Sequence, residues 1–156
     1  MKNHIATIAF LSSLAQPACA QEPVRLAIGA TTRHMTEIAA GPNRSRLHLV
    51  IEGAGRLTLQ GATVRFHAQC AIADTVVDKK IVEGVGDCEL KSTAGGAVSA
   101  HFQTIPGSGE RGHLSFSGGS KDFARVDGKV AVDVTVNPAR VGKPVFFVES
   151  RDGAGD

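Results

Sequence analysis

The chain has 156 residues, of which 42% are hydrophobic and 21% are charged, and it carries a formal net charge of +2. This length predicts a single domain that is large enough to bury one core. The 17 basic and 15 acidic residues are nearly balanced and scattered, which argues against a nucleic-acid-binding surface.

The first twenty residues have the pattern of a secretory signal peptide. Lys2 precedes an apolar run from Ile5 to Leu14, and a small-x-small cleavage motif ends at Ala20. We therefore predict cleavage between Ala20 and Gln21. The mature chain would then have 136 residues (156 less 20), 16 basic residues and a formal charge of +1.

This leader predicts a periplasmic or secreted protein with no transmembrane segment in the mature chain, because no later apolar run approaches the roughly twenty residues that a span requires. A lipid anchor on Cys19 is the alternative. The residues before it, Gln16-Pro17-Ala18, lack the leucine-like residue that lipoprotein signals carry three positions upstream. The prediction does not separate periplasm from medium.

Residues 31–41 are ambiguous, and their structure is left open. Met35, Ile38 and Ala39 fit a short helical stripe that ends at Gly41-Pro42, but an irregular strand or a loop fits equally well.

From residue 46 onward, apolar and polar side chains alternate with the period of two that is typical of half-buried strands. In the clearest case, Val130, Val132, Val134 and Val136 share one face. The segments with this pattern are 46–52, 56–60, 64–70, 98–103, 113–116, 129–136 and 146–148. Glycine-rich turns separate them, and no helical pattern is sustained. We predict an all-β antiparallel barrel of about eight strands over residues 21–149, with a β-sandwich as the alternative.

Beyond this domain, residues 150–156 are glycine-rich and charged and are predicted to form a flexible tail.

Two cysteines remain after cleavage. Cys70 shares its predicted face with Phe66 and Ala68, and Cys88 shares its face with Leu90. An even pair in an oxidising compartment favours a Cys70–Cys88 disulfide over two buried thiols.

The segment from Gly112 to Gly128 carries a spacing of glycines and phenylalanine that is found in a known family. Gly118, Gly119, Phe123 and Gly128 match a Gly-Gly-Thr-Gly-x-Phe-x-Gly-x-x-Gly turn that follows a strand. The segment resembles small secreted bacterial proteins of the allene oxide cyclase barrel-like group.

The likeness covers residues 46–136, because the spacing of Cys70, Gly86-Asp87-Cys88 and Gly95-Gly96 is similar too. Ser120, Lys121 and Ala124 depart from the family pattern. The resemblance implies an eight-stranded calycin-like barrel and little about activity. We interpret the three turn glycines, Gly118, Gly119 and Gly128, as makers of tight turns.

Histidines are the first candidates for chemistry. Five remain in the mature chain, and four of them alternate with apolar residues, so they could converge on one sheet face and hold zinc or copper. The five histidines are His34, His48, His67, His101 and His113. Their spacing has no metal-site signature, and we predict no metal and no cofactor.

Two other groups carry residue types that are used in catalysis. Ser115 lies near His113 and Asp122, but without a Gly-x-Ser-x-Gly elbow. Three acidic residues around the second cysteine, Glu83, Asp87 and Glu89, could act as acid and base or bind calcium, although alternate acids usually form a solvated face. We assign no catalytic residue.

The functional hypothesis is a non-catalytic binding module that contacts a small molecule or an envelope partner. One alternative, suggested only by the family resemblance, is an isomerase or cyclase acting on an apolar substrate, which requires a cavity with a buried ionisable residue. A histidine-based metal carrier is the other. Phenylalanines are expected to fill the core, namely Phe66, Phe102, Phe116, Phe146 and Phe147.

Overall fold

A computed structural model describes residues 24–137 and 144–151. The signal segment, the Ala20/Gln21 cleavage site and residues 152–156 lie outside this range. The described residues form eight antiparallel strands and one short 3-10 helix. The elements are β1 (Arg25–Gly41), β2 (Arg44–Leu59), β3 (Ala62–Val77), β4 (Lys80–Ser92), β5 (Ala97–Ile105), β6 (Ser108–Ser117), η1 (Lys121–Phe123), β7 (Gly128–Asn137) and β8 (Val145–Ser150).

The strands close into a barrel in sequence order, and β8 pairs with β1. The predicted all-β antiparallel barrel is therefore confirmed. None of the described helices has the length and apolar character needed to cross a membrane.

Side-chain alternation places one face of each strand in the core. In β5, for example, Val98, Ala100 and Phe102 are buried while His101 and Gln103 are exposed. Four of the five expected core phenylalanines are buried: Phe66, Phe102, Phe116 and Phe146. The expectation for Phe147 is wrong, since it is 46% exposed. Successive residues of a strand point to opposite faces, so Phe146 and Phe147 cannot both face inward.

Strand pairing reaches into the segment that was predicted to be a tail. The Leu26 amide donates to Ser150 Oγ at 3.0 Å, and the Arg151 amide donates to the Ala131 carbonyl at 2.9 Å. Ser150 is thus the last residue of β8.

One end of the barrel, here called the plugged end, is covered by the connection between β6 and β7. Phe123 is fully buried there, and its ring meets that of Phe66 edge to face with centroids 6.2 Å apart. A side chain on Gly119 would collide with the Phe123 carbonyl, so a glycine is needed for this close approach. Gly118 and Gly128, at the two ends of the connection, have φ of +69° and +85°, conformations that favour glycine.

The opposite end, here called the open end, has an uneven rim. Among the described residues, β8 pairs with β1 over residues 27–31, whereas β1 and β2 continue together to the hairpin at residues 41–44. A bulge at Arg33 reverses the alternation of β1, so that Thr32 and Met35 both follow the inward face. The ambiguous residues 31–41 thus form the second half of β1, which stands above the barrel mouth.

Candidate functional site

The barrel interior holds only a small cavity. Its volume is about 40 Å³, and its lining is entirely apolar. Among the lining residues are Ile28, Ile72, Phe102, Leu114, Cys70 and Cys88. Pockets for small molecules usually measure about 300 to 1,000 Å³, so this interior cannot enclose such a ligand without repacking.

Much more space lies at the open end, in a groove that we call the open-end trough. Its volume is about 880 Å³, and it lies over the inward-facing side of β1, β2 and β3 beyond the mouth. The apolar residues that line it are Met35, Ala39, Leu47 and Val76, and the charged ones are Glu37, Arg44, Asp78 and Lys79. An apolar floor with a charged border suits a molecule or a segment with one apolar side.

Asp74 lies between the core cavity and this trough. On the same face of β3, Ile72 lines the cavity and Val76 lines the trough. Asp74 is opposite Leu47 on β2 and Gly84 on β4. The residue is only 5% exposed, and it is the one ionisable residue among the buried residues of the described chain.

The residues around Asp74 leave space for its carboxylate, but in the described structure none of them forms a hydrogen bond or ion pair with it. A side chain on Gly84 would collide with Asp74 Oδ1, so the glycine makes the room that the carboxylate occupies. The nearby Thr104 hydroxyl is engaged elsewhere, since Thr104 Oγ1 accepts from the Gly84 amide at 2.6 Å and donates to the Gly84 carbonyl at 3.3 Å. Across residues 24–137 and 144–151, no hydrogen bond or ion pair involves the Asp74 side chain.

Burial without a partner disfavours the ionised form of a carboxylic acid. Desolvation raises the pKa of Asp74 from 3.8 to about 6. At neutral pH the group is still mostly ionised, so a negative charge is held between the core cavity and the trough.

Cys70 and Cys88 occupy directly opposite positions on β3 and β4. Their sulfur atoms are 2.04 Å apart, which is the bonding distance of a disulfide. Both residues are buried and line the core cavity just below Asp74 on the inward face. The link therefore joins the two strands that hold Asp74 and Gly84.

The candidate histidines all lie on the outer face and do not gather. Four of them are on different strands: His48 on β2, His67 on β3, His101 on β5 and His113 on β6. The fifth, His34, is hydrogen-bonded to Thr36. Within the described ranges, no three His, Cys, Asp or Glu side chains are close enough to hold a metal ion.

One histidine does have a carboxylate partner. His101 Nδ1 is 2.8 Å from Asp87 Oδ1, and Ser115 is directly opposite His101 on β6. Serine, histidine and aspartate are the residue types of a hydrolytic triad. The sequence had instead suggested His113 and Asp122 as the partners of Ser115. Asp87 is 85% exposed, however, and no hydrogen bond joins Ser115 to His101 in the described structure. Such an exposed row lacks the buried, oriented carboxylate on which triad catalysis depends.

The remaining acidic candidates are also at the surface. Glu83 and Glu89 are exposed on the outer face of β4, as Asp87 is, and Glu89 pairs with Lys91 at 2.8 Å. Asp122, the third member of the group with Ser115 and His113, lies in η1 at the plugged end.

Sequence reasoning missed Asp74, although a signal for it was present. The alternation in the sequence placed Phe66, Ala68 and Cys70 on one face. If the same alternation is continued for four more residues, it places Asp74 on that face too. A charged residue on an inward phase is unusual and marks a position to examine.

Comparison of the chain with protein-family models, with curated proteins and with solved structures found no match.

Proposed function

We propose that this protein is a non-catalytic binding module whose open-end trough takes an elongated small molecule with an apolar body. The observation that carries the proposal is the contrast between an interior cavity of about 40 Å³ and a trough of about 880 Å³ lined by Met35, Leu47 and Val76. The ligand would lie on the inward face of the β1–β2 hairpin rather than inside the barrel.

The test is binding of Nile red, an uncharged apolar dye, measured by its fluorescence. Met35→Gln and Leu47→Gln each remove apolar contact from the trough and are expected to weaken binding by about tenfold, since burying such a side chain is worth about 1.5 to 3 kcal/mol. Ile38→Gln is the matched control. Ile38 is 52% exposed on the same hairpin, but its neighbours Glu37 and Ala39 face the trough and it does not.

Absence of dye binding, or equal losses in the trough variants and in Ile38→Gln, would reject the small-molecule proposal. The envelope partner expected as an alternative would then be the remaining occupant of the same surface.

A second candidate function is an isomerase or cyclase that acts on an apolar substrate. It is favoured by one observation, the buried Asp74 with a pKa raised to about 6, because a general acid or base works best with a pKa near the operating pH. The family resemblance stays a prediction and adds only this reaction class. If a ligand recovered after long incubation with the protein is chemically unchanged, the catalytic candidate fails and the binding module stands.

We also propose that the protein acts in the periplasm or is secreted. Support comes from the signal pattern and from two cysteines at disulfide distance. Fractionation of expressing bacteria, with sequencing of the mature amino terminus, is expected to find the chain outside the cytoplasm and beginning at Gln21.

A further inference from the structure

Asp74 is a residue that the fold carries at a cost. An ionised carboxylate that leaves water without gaining a partner destabilises the folded state. The structure nevertheless makes space for it, since Gly84 is opposite and any larger residue there would collide with Oδ1. Unfavourable groups of this kind are concentrated at functional positions, where an external partner compensates for them.

We propose that the ligand of the open-end trough carries an ammonium group, and that Asp74 binds this group at the base of the trough. This inference rests on the proposed binding function and names the class of ligand, an amphiphilic amine. The alkyl part would lie along Met35, Leu47 and Val76, and the ammonium would donate to the carboxylate.

The pattern of charge around Asp74 favours a cation over other head groups. The inward positions beside it are Leu47 on β2, Gly84 on β4 and Thr104 on β5, which are uncharged. An anionic head group would meet an unpaired carboxylate and be repelled. A hydroxyl could donate one hydrogen bond, but it would leave the charge without compensation.

The other charged groups of the trough are farther out along the hairpins. Glu37 is on β1, Arg44 begins β2, and Asp78 and Lys79 form the turn between β3 and β4. All four are exposed, so water screens them, whereas Asp74 is screened little. Asp74 is therefore the group that can discriminate between head groups.

The experiment compares three ligands with the same ten-carbon chain and different head groups. Binding of decylamine, decanol and decanoate to the full mature protein is measured by calorimetry at pH 7.5, below the concentrations at which they form micelles. We expect decylamine to bind roughly tenfold or more tightly than decanol, as for a charge-assisted hydrogen bond, and decanoate to bind most weakly.

Two carboxylate variants locate the origin of this preference. In Asp74→Asn, which keeps the shape and removes the charge, the affinity for decylamine is expected to fall to that for decanol. In Glu37→Gln, the matched control at the other trough carboxylate, the preference for the amine is expected to persist. Thermal unfolding of both variants checks that they fold.

The acid dependence gives a second readout. As the pH falls from 7.5 to 5, Asp74 becomes protonated while decylamine stays charged, so the wild type and Glu37→Gln are expected to lose the amine preference and Asp74→Asn to show no change. Equal affinities for the three head groups, or a preference that survives in Asp74→Asn, would overturn the inference. If Nile red and all three alkyl ligands fail to bind, the proposed function itself is wrong.

Discussion

The plugged end and the open end of the barrel differ in the bonding of one buried polar residue. Towards the open end, buried Thr32 and Thr104 are hydrogen-bonded, and Asp74 is the exception. At the plugged end, the buried Ser92 hydroxyl accepts a hydrogen bond from the Gly96 amide at 3.0 Å, and the apolar residues Phe123 and Leu57 are fully buried. At the open end, the buried Asp74 has no such bond. The plugged end is therefore built for stability, and the open end keeps a group that reduces stability.

The largest expected effect is at the plugged end. Phe123→Ala would remove a fully buried ring that contacts Phe66, and such truncations cost about 3 to 5 kcal/mol of the free energy of unfolding. Urea unfolding of the variant measures this loss. Phe147→Ala, at an exposed phenylalanine, is the control and is expected to cost less than about 1 kcal/mol. Equal losses in both would mean that Phe123 does not plug the barrel.

The disulfide comes next and lies between the two ends. Replacing both Cys70 and Cys88 by serine would free the loop between two residues that are 18 positions apart, and it is expected to lower the free energy of unfolding by about 3 kcal/mol. Reduction of the wild type should give the same loss, provided that the reductant reaches the bond. A double variant as stable as the oxidised wild type would show that the two sulfurs are not linked in the folded protein.

Asp74→Asn should sharpen the contrast by stabilising the open end. Because the pKa of Asp74 is about 6 in the folded state and 3.8 in the reference state, the folded state binds this proton more tightly. The wild type should therefore lose stability relative to Asp74→Asn as the pH rises from about 4 to about 6, by up to about 3 kcal/mol, and the difference should then stay constant.

Unfolding of both proteins at pH 4 and at pH 7.5 measures this difference. At pH 4 the two are expected to be nearly equally stable. A wild type that is more stable than Asp74→Asn at pH 7.5 would indicate a stabilising partner for the carboxylate.

The smallest effect is expected on the hairpin that stands above the mouth. Met35→Ala and Ile38→Ala both truncate exposed side chains, so each should change the free energy of unfolding by less than about 0.5 kcal/mol. Thermal unfolding of the two variants measures this change in stability. A loss above about 1 kcal/mol for Met35→Ala alone would mean that the trough is already covered in solution.

Much of the fold could be predicted from alternation, and the candidate site could not. The valine series of β7 and the alternating residues of β3 and β5 indicated which side chains face inward. Val130, Val132 and Val134 are buried, whereas Val136, the last of the series, is 39% exposed. Residues 31–41 gave no clear period because the bulge at Arg33 shifts the alternation in the middle of β1. The plug formed by Phe123 was missed because the residue lies in a connection, where no period exists.

What the sequence by itself determined is the inward face of the strands that alternate clearly, which are β2, β3, β5, β6, β7 and β8, since alternation is a local property of an extended chain. Only the tertiary structure decided which inward residues meet, because contacts between strands depend on register and on bulges. Register places Gly84 opposite Asp74, and strand lengths raise the β1–β2 hairpin above the mouth. The buried carboxylate and the trough beside it are consequences of that arrangement.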